Sequence, residues 1–318
     1  MLSSRKRTRL DVRLVEDGAG RTLAILPFFE EALAGSVARI TQFIGHRMSD
    51  HNDILLVDPK SSELADEVIR VLFEDPDSGT ILHLRHLDGG SMFTKRLLVS
   101  RVAEPQCTHL YLQADPAITD QRKRLGPTKR KNLRWQENLI RRQFKIQFRV
   151  RSGTDFLDAF DEMIDLHYRR FDAKGHSTSL TGPSLAFLRT ATSTLSNTGN
   201  FEIIQLRTDD TTIAAVLTAY SRRRYFGVQS GFNPEFSRFS PIRLLQVETM
   251  RRGFEDLDCE IFDLGTGYDQ YKFEWSPIVD TNYMCCYGGT GLYGKLAANL
   301  YRAAFLRSLP PSQGPQTT

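Results

Sequence analysis

Three alternating segments, Phe201–Arg207, Thr212–Tyr220 and Tyr225–Phe232, are joined only by Asp209-Asp210 and by the short turn Ser221–Arg224. Connections this short force neighbouring strands to run antiparallel, so the spacing predicts a three-stranded meander. The last strand runs into Gly231-Phe232-Asn233-Pro234, and a loop then reaches Ser240-Pro241, where a helix is expected to open and run to about Glu255. Ser is a favoured N-cap and Pro a favoured first helical residue. A second strand follows at Ile261–Leu264, then the aromatic-basic segment Tyr271-Lys272-Phe273-Glu274-Trp275. A strand that delivers a ligand to a helix start makes an anion site, because the first turn leaves backbone N–H groups unpaired at the positive end of the helix dipole. The expected ligand therefore carries phosphate.

The remaining elements follow from periodicity. Phe144–Val150 alternates as a strand, and Thr154 is the expected cap of a helix to Phe171 with Phe156, Phe160, Met163 and His167 on its apolar face. Pro183–Leu195 reads as a helix, Asn282–Tyr287 as a last strand and Leu292–Leu306 as an amphipathic helix; Pro310–Thr318 is expected to be disordered. In the first half, Leu10–Val15, Arg21–Phe28 (interrupted by Pro27), Ile54–Val57, Thr80–Arg85 and Thr108–Leu112 read as strands or apolar runs. Ser61 or Ser62 caps a helix to Phe73, and Ser91–Val99 is a short helix.

Charge is unevenly placed. From Arg122 to Arg151 there are twelve Lys/Arg and one acid, Glu137; this segment is +11, and since the chain is +4 the remainder is −7. A helix from Thr128 to Arg142, with Leu133, Leu139 and Ile140 for packing, carries six of those twelve cations. Three readings stay open: a solvated helix between domains, a contact for the phosphates of CoA, a nucleotide sugar or an anionic glycan, or a nucleic-acid surface. Trp135 is the one ring inside that helix, which counts against stacking recognition of nucleic acid. The four cysteines have no metal spacing, and Cys285-Cys286 read as structural. The basic start lacks the apolar core of a signal peptide, and no apolar run approaches the roughly 18 residues of a membrane span. A reducing, cytoplasmic setting is the expectation.

The order strand, helix, helix, three antiparallel strands, helix, strand, short helix, strand resembles the GNAT acetyltransferase fold. More closely, Leu166-His167-Tyr168-Arg169-Arg170-Phe171, Gly231–Pro234, Ser240-Pro241 with Leu244-Leu245, and Phe262-Asp263 followed by Gly267–Lys272 and Trp275 resemble the CelD/BcsL-like acetyltransferase family. The likeness covers about Pro127 to Gly288 and extends more weakly over the first half, at Leu23–Phe29 and Ile44–Asp58. That family is similar in turn to the Fem-type peptidyltransferases. Three departures stand out: Phe171 where Trp is usual, Ile242 where Gly is common, and a first domain that starts late, without its leading strand and helices. A Cβ at Ile242 makes close backbone approach to a pyrophosphate harder.

The resemblance implies an α/β (α+β, mixed-sheet) protein of tandem GNAT-like domains: a degenerate or truncated one over 1–121, the basic connecting helix at 122–142, the acyltransferase domain over 143–308, and the tail 309–318. It implies an acyl-CoA-dependent N-acyltransferase acting on an amino sugar or polysaccharide precursor, with acyl-CoA as co-substrate and neither a metal nor a permanently bound cofactor. Gln229, Ser230 and Gly231 would offer backbone N–H groups to the thioester oxyanion, and Ser240, Pro241, Ile242 and Arg243 would hold the donor's phosphates. His167, Arg170 and Asp269 would face the acceptor, unless His167 is a satisfied core histidine and Arg170, like Arg169, compensates the helix dipole. Asp263 would act as base, or else cap the turn Gly265-Thr266-Gly267. Tyr271 would protonate the leaving thiolate and Lys272 would hold phosphate or oxyanion, unless Tyr271 packs and Lys272 is solvated. The alternatives are a Fem-type transfer from aminoacyl-tRNA and a non-catalytic GNAT-shaped scaffold in an envelope-synthesis complex.

Overall fold

The protein is seen here as a computed structural model that describes residues 8–33, 38–46, 48–74, 80–178, 180–209, 211–289 and 291–308. Asp210, the start 1–7 and the tail 309–318 therefore lie outside the described residues. The chain forms two compact units. Unit 1 takes Met1–His109, Thr266–Tyr268 and Val279–Thr318; unit 2 takes Leu110–Gly265 and Asp269–Ile278.

Unit 1 begins with β1 (Thr8–Glu16), β2 (Thr22–Ala32), β3 (Arg39–Phe43), the short β4 (Leu55–Leu56), α1 (Ser62–Glu74), β5 (Thr80–Asp88), α2 (Met92–Val99) and β6 (Ala103–Gln113), whose end from Leu110 counts with unit 2. Unit 2 continues with α3 (Pro127–Gln143), β7 (Ile146–Arg151), α4 (Phe156–Asp172), α5 (Gly182–Ser196), β8 (Phe201–Thr208), β9 (Thr211–Ser221), β10 (Arg224–Phe232), α6 (Pro241–Arg251), β11 (Ile261–Thr266) and α7 (Gln270–Phe273). The chain then returns to unit 1 with β12 (Ile278–Tyr287) and α8 (Leu292–Ser308).

In unit 1 the strand order is β1-β2-β3-β5-β12, with β4 also beside β2. β1, β2 and β3 are antiparallel neighbours, β3 and β5 run parallel, and β12 lies antiparallel on β5. Ser61 caps α1, its Oγ accepting the N–H of Leu64 at 3.1 Å. Val68, Ile69 and Leu72 of α1 then pack with Leu26, Phe28, Phe43 and Leu84. β2 is not interrupted at Pro27. The carbonyl of Pro27 accepts from Ile44, just past the end of β3, so its missing donor falls where that ladder has ended. β3 itself was not expected, because Arg39–Phe43 includes the buried polar residues Thr41 and Gln42.

Unit 2 holds the expected meander, with β7-β8-β9-β10 antiparallel and β11 parallel to β10. Leu133 and Ile140 of α3 are buried in the same core as Leu206, Ile213, Tyr225, Leu244 and Phe262. The basic helix is thus an integral part of unit 2 rather than a connector. The division also differs from an acyltransferase domain over 143–308, because β12 and α8 belong to unit 1, where Cys285 sits in the core. Thr154 does not cap α4: the chain makes a 3-10 turn at Gly153–Asp155, where Gly153 has φ +59°, and the helix begins at Phe156. The apolar face of α4 is as expected, with Phe156, Phe160, Met163 and His167 all buried. Among the described residues no helix is long and apolar enough to cross a membrane.

Buried titratable groups give one consequence for stability. His83 on β5 is 2% exposed, and its Nδ1 lies within hydrogen-bond distance, 3.0 Å, of the Tyr301 hydroxyl. Burial, with Arg85 nearby, holds its pKa down to about 3 from 6.5. The unfolded chain therefore binds the extra proton first, so this contribution is fully present above about pH 6.5 and is lost as pH falls toward the folded value. Between about pH 6.5 and about pH 4.5 the expected loss is about 2 kcal/mol. Urea unfolding at the two pH values should show it, and His83→Gln should remove that share of the pH dependence. Equal slopes for wild type and variant would mean that His83 is not held neutral by the fold.

Candidate active site

The site is built by the parting of two parallel strands. β10 and β11 are paired at Arg224, Tyr225 and Phe226 against Ile261, Phe262 and Asp263, and the described ladder stops there. From Gly227 to Phe232 the pairing of β10 is with β9. Between Gly227, opposite Thr218, and Gln229, opposite Leu217, Val228 is an extra residue, a bulge of the kind that bends a strand and re-aims its backbone groups. Past the divergence lies a cavity of about 380 Å³, within the usual range of ligand sites.

Its walls come from four elements of unit 2. β10 contributes Gly227 to Ser230, β11 contributes Phe262 to Leu264, α4 contributes His167, Arg170 and Phe171, and α6 contributes Ile242, Leu245, Gln246 and Thr249. Val216 of β9, Asp269 and Tyr271 complete the lining. Of the expected site residues, His167, Arg170, Gln229, Ser230, Ile242, Asp263, Asp269 and Tyr271 are brought together here. Gly231, Ser240, Pro241, Arg243 and Lys272 are not among the lining residues.

Each of these five has a structural reason for its place. Gly231 packs directly beneath α4: a Cβ added there would lie 2.2 Å from the backbone nitrogen of His167 and 2.5 Å from the carbonyl carbon of Leu166. Ser240 is left-handed, with φ 51° and ψ 52°, because it ends the 3-10 turn Pro234–Phe239 as it begins α6; its hydroxyl makes no capping bond. Its carbonyl instead receives the N–H groups of Arg243 and Leu244. Pro241 is buried. The guanidinium of Arg243 pairs with Glu274, which also holds Lys129 at 2.8 Å. Lys272 is buried and pairs with Asp269 at 3.2 Å, so it is neither solvated nor placed at the cavity wall.

Asp263 is 1% exposed. One carboxylate oxygen accepts the N–H of Gly265 at 2.7 Å, and the other lies 3.3 Å from the guanidinium of Arg224. The turn-capping role is thus realised, by a carboxylate that also lines the cavity. Tyr271 is 45% exposed and is among the lining residues. His167 joins α4 to the bulged strand: Nδ1 lies 3.1 Å from the carbonyl of Ser230, and Nε2 lies 2.9 Å from the hydroxyl of Thr178. A carbonyl only accepts, so Nδ1 carries the proton, and in the neutral ring Nε2 accepts from Thr178. Burial is the first cause lowering the pKa of His167, with the nearby Arg170 cation acting the same way against the Ser230 bond. A neutral His167 therefore fixes the backbone of the bulge. Arg170 reaches the Ser230 hydroxyl at 3.5 Å and stands over the ring of Phe232.

Gln246, Thr249 and Leu245 were not anticipated. Their spacing from Ile242 places all four on one helix face, so the expectation for Ile242 already carried the signal for the others. Along the basic stretch at and before α3 much of the positive charge is neutralised locally. Arg122 pairs with Asp120 and Glu137, Arg134 with Asp120, and Arg141 with Glu137. Lys131, Arg142, Lys145 and Arg149 remain exposed, with no ion pair among the described residues. Cys285 is fully buried, and burial raises its thiol pKa, while Cys286 is pushed up to about 12 for the same reason, so both thiols stay protonated.

Residues 127–273 match the family described as Acetyltransferase (GNAT) domain. No curated protein matches the chain. Among solved structures, that of FemX has a TM-score of 0.62 at 8% identity, over 87% of this chain and 88% of that one. L-PGS from Bacillus licheniformis has a TM-score of 0.53 at 11% identity, over 92% and 88%. At such identities the likeness speaks for the fold alone. The protein has the α/β GNAT fold, with a GNAT acetyltransferase-like domain at residues 127–273.

Proposed function

We propose that unit 2 transfers an acyl group from acyl-CoA to an amine in the cavity beyond the β10–β11 divergence. The observation that carries this is the parting of the strands beside the Val228 bulge, which sets backbone against a ligand-sized space. In this reading the thioester carbonyl rests on N–H groups of the Gln229–Ser230 stretch, which stabilise the oxyanion as the amine attacks. Asp263, or a water beside it, takes the amine proton; the carbon–sulfur bond breaks, and Tyr271 gives its proton to the departing thiolate. His167 holds the bulge in place. Glu274 occupies Arg243, Pro241 has no N–H, and Arg243 and Leu244 donate theirs to Ser240, so the donor's phosphates meet α6 at the backbone of Ile242. The likeness to the CelD/BcsL-like family supports an amino sugar or polysaccharide precursor as acceptor and a cytoplasmic setting.

A second reading, transfer from aminoacyl-tRNA, is favoured by the likeness to FemX over most of the chain and by the exposed cations of α3 and β7. Thermal melting separates the two. Acetyl-CoA or a longer acyl-CoA at about 100 times its dissociation constant should add roughly 2.7 kcal/mol of stability. Stabilisation by charged tRNA and not by acyl-CoA would reverse the ranking. A melting temperature unmoved by either would favour a non-catalytic scaffold.

A further inference from the structure

β1 ends the strand order of unit 1, and among the described residues β2 is its strand neighbour. The direction of its backbone groups can be read from β2. The carbonyls of Leu23 and Pro27 accept from Val57 and Ile44, and the N–H of Leu33 donates to Ala38, each at 2.9 Å. Odd-numbered residues along β2 thus turn their polar groups away from β1. Phe29, Pro27 and Ile25 stand opposite Leu10, Val12 and Leu14. Antiparallel pairs alternate between bonded and non-bonded positions, so Leu10, Val12 and Leu14 direct their N–H and C=O groups to the outer edge. Their side chains are also exposed, Leu10 by 70%. On the opposite face Asp11 and Arg13 stand two residues apart, paired at 2.7 Å.

We propose that β1 pairs antiparallel with β1 of a second copy of this chain, about a two-fold axis through Val12. Val12 is the midpoint of the nine-residue strand, so this register uses its full length. It sets Val12 against Val12 of the other copy and Leu10 against Leu14, at the positions whose backbone groups face outward. Each of these pairs exchanges both ladder bonds. On the other face Asp11 of each copy lies across from Arg13 of its mate, at the closer, non-bonded spacing where opposite charges attract and like charges repel. Backbone direction, apolar side chains and charge order are self-complementary about one residue, as an isologous contact requires. An exposed edge with those properties is a template for another strand.

Analytical ultracentrifugation of the full chain should give about twice the chain mass of 36.2 kDa. Val12→Pro removes an outward N–H that β2 does not use, and should give single chains with an unchanged circular dichroism spectrum. Asp11→Arg should do the same by placing two arginines across from each other. The exchange Asp11→Arg with Arg13→Asp restores complementary order and should return the double mass, which also settles the matter if a single variant fails to fold. A wild type of single-chain mass at every concentration, single variants that keep the double mass, or a folded exchange variant that stays single would each overturn the proposal.

Discussion

Gly231→Ala is expected to cost unit 2 about 3 kcal/mol or more and to lower its melting temperature by about 6–12 °C. The added methyl would meet backbone rather than a side chain: the His167 nitrogen at 2.2 Å and the Leu166 carbonyl carbon at 2.5 Å. Side chains relieve such contacts by changing rotamer, but a helix backbone moves only as a unit. α4 would have to lift off β10, taking with it the His167 bond that fixes the Ser230 carbonyl. Gly227→Ala is the matched control, because nothing lies within 4 Å of a Cβ there although the residue lines the cavity. It should melt close to wild type. Equal melting of the two variants would show that α4 does not rest on Gly231.

Asp263→Asn should reduce both stability and turnover, whereas Tyr271→Phe should reduce turnover alone. The asparagine oxygen can still accept from Gly265, but the charge facing Arg224 is gone. Removing one member of a buried pair costs about 3–5 kcal/mol. Arg224 keeps some exposure, so about 2 kcal/mol is the expected scale here. The loss of a general base or acid lowers rate by about 100-fold or more. Assayed well below its melting point, Asp263→Asn should still show that rate loss. Full activity in its folded fraction would reduce Asp263 to a turn cap. Tyr271→Phe retains the ring at an exposed position and should melt as wild type; full turnover would remove the phenol from the reaction.

The meander and α6 were legible because their strands alternate and their turns are short. The cavity was partly legible for a related reason: Gln229, Ser230, Ile242, Asp263 and Tyr271 lie on consecutive elements that must meet. What the sequence hid was partnership at a distance. Nothing near Arg243 announces that Glu274 will hold it, and nothing at Lys272 distinguishes a solvated ammonium from one buried beside Asp269. Gly231 showed that a small residue was needed, but not that a helix rather than a ligand would sit against it. β3 escaped because its Thr and Gln are buried in a five-residue strand, too short for a period to declare itself. β12 read correctly as a strand but joined the other unit, since alternation specifies a strand and not its neighbour.

The placement of β12 on β5 has a consequence during synthesis. Asn282 pairs with Asp88, so unit 1 lacks the strand beside β5 until residues beyond 280 have been made. Most of unit 2 lies in the single run Leu110–Gly265, and its last residue, Ile278, is where β12 begins. The unit that begins earlier in the sequence is therefore the later of the two to be complete. Until β12 arrives β5 has an open edge on that side, the kind of edge that invites pairing with a wrong strand.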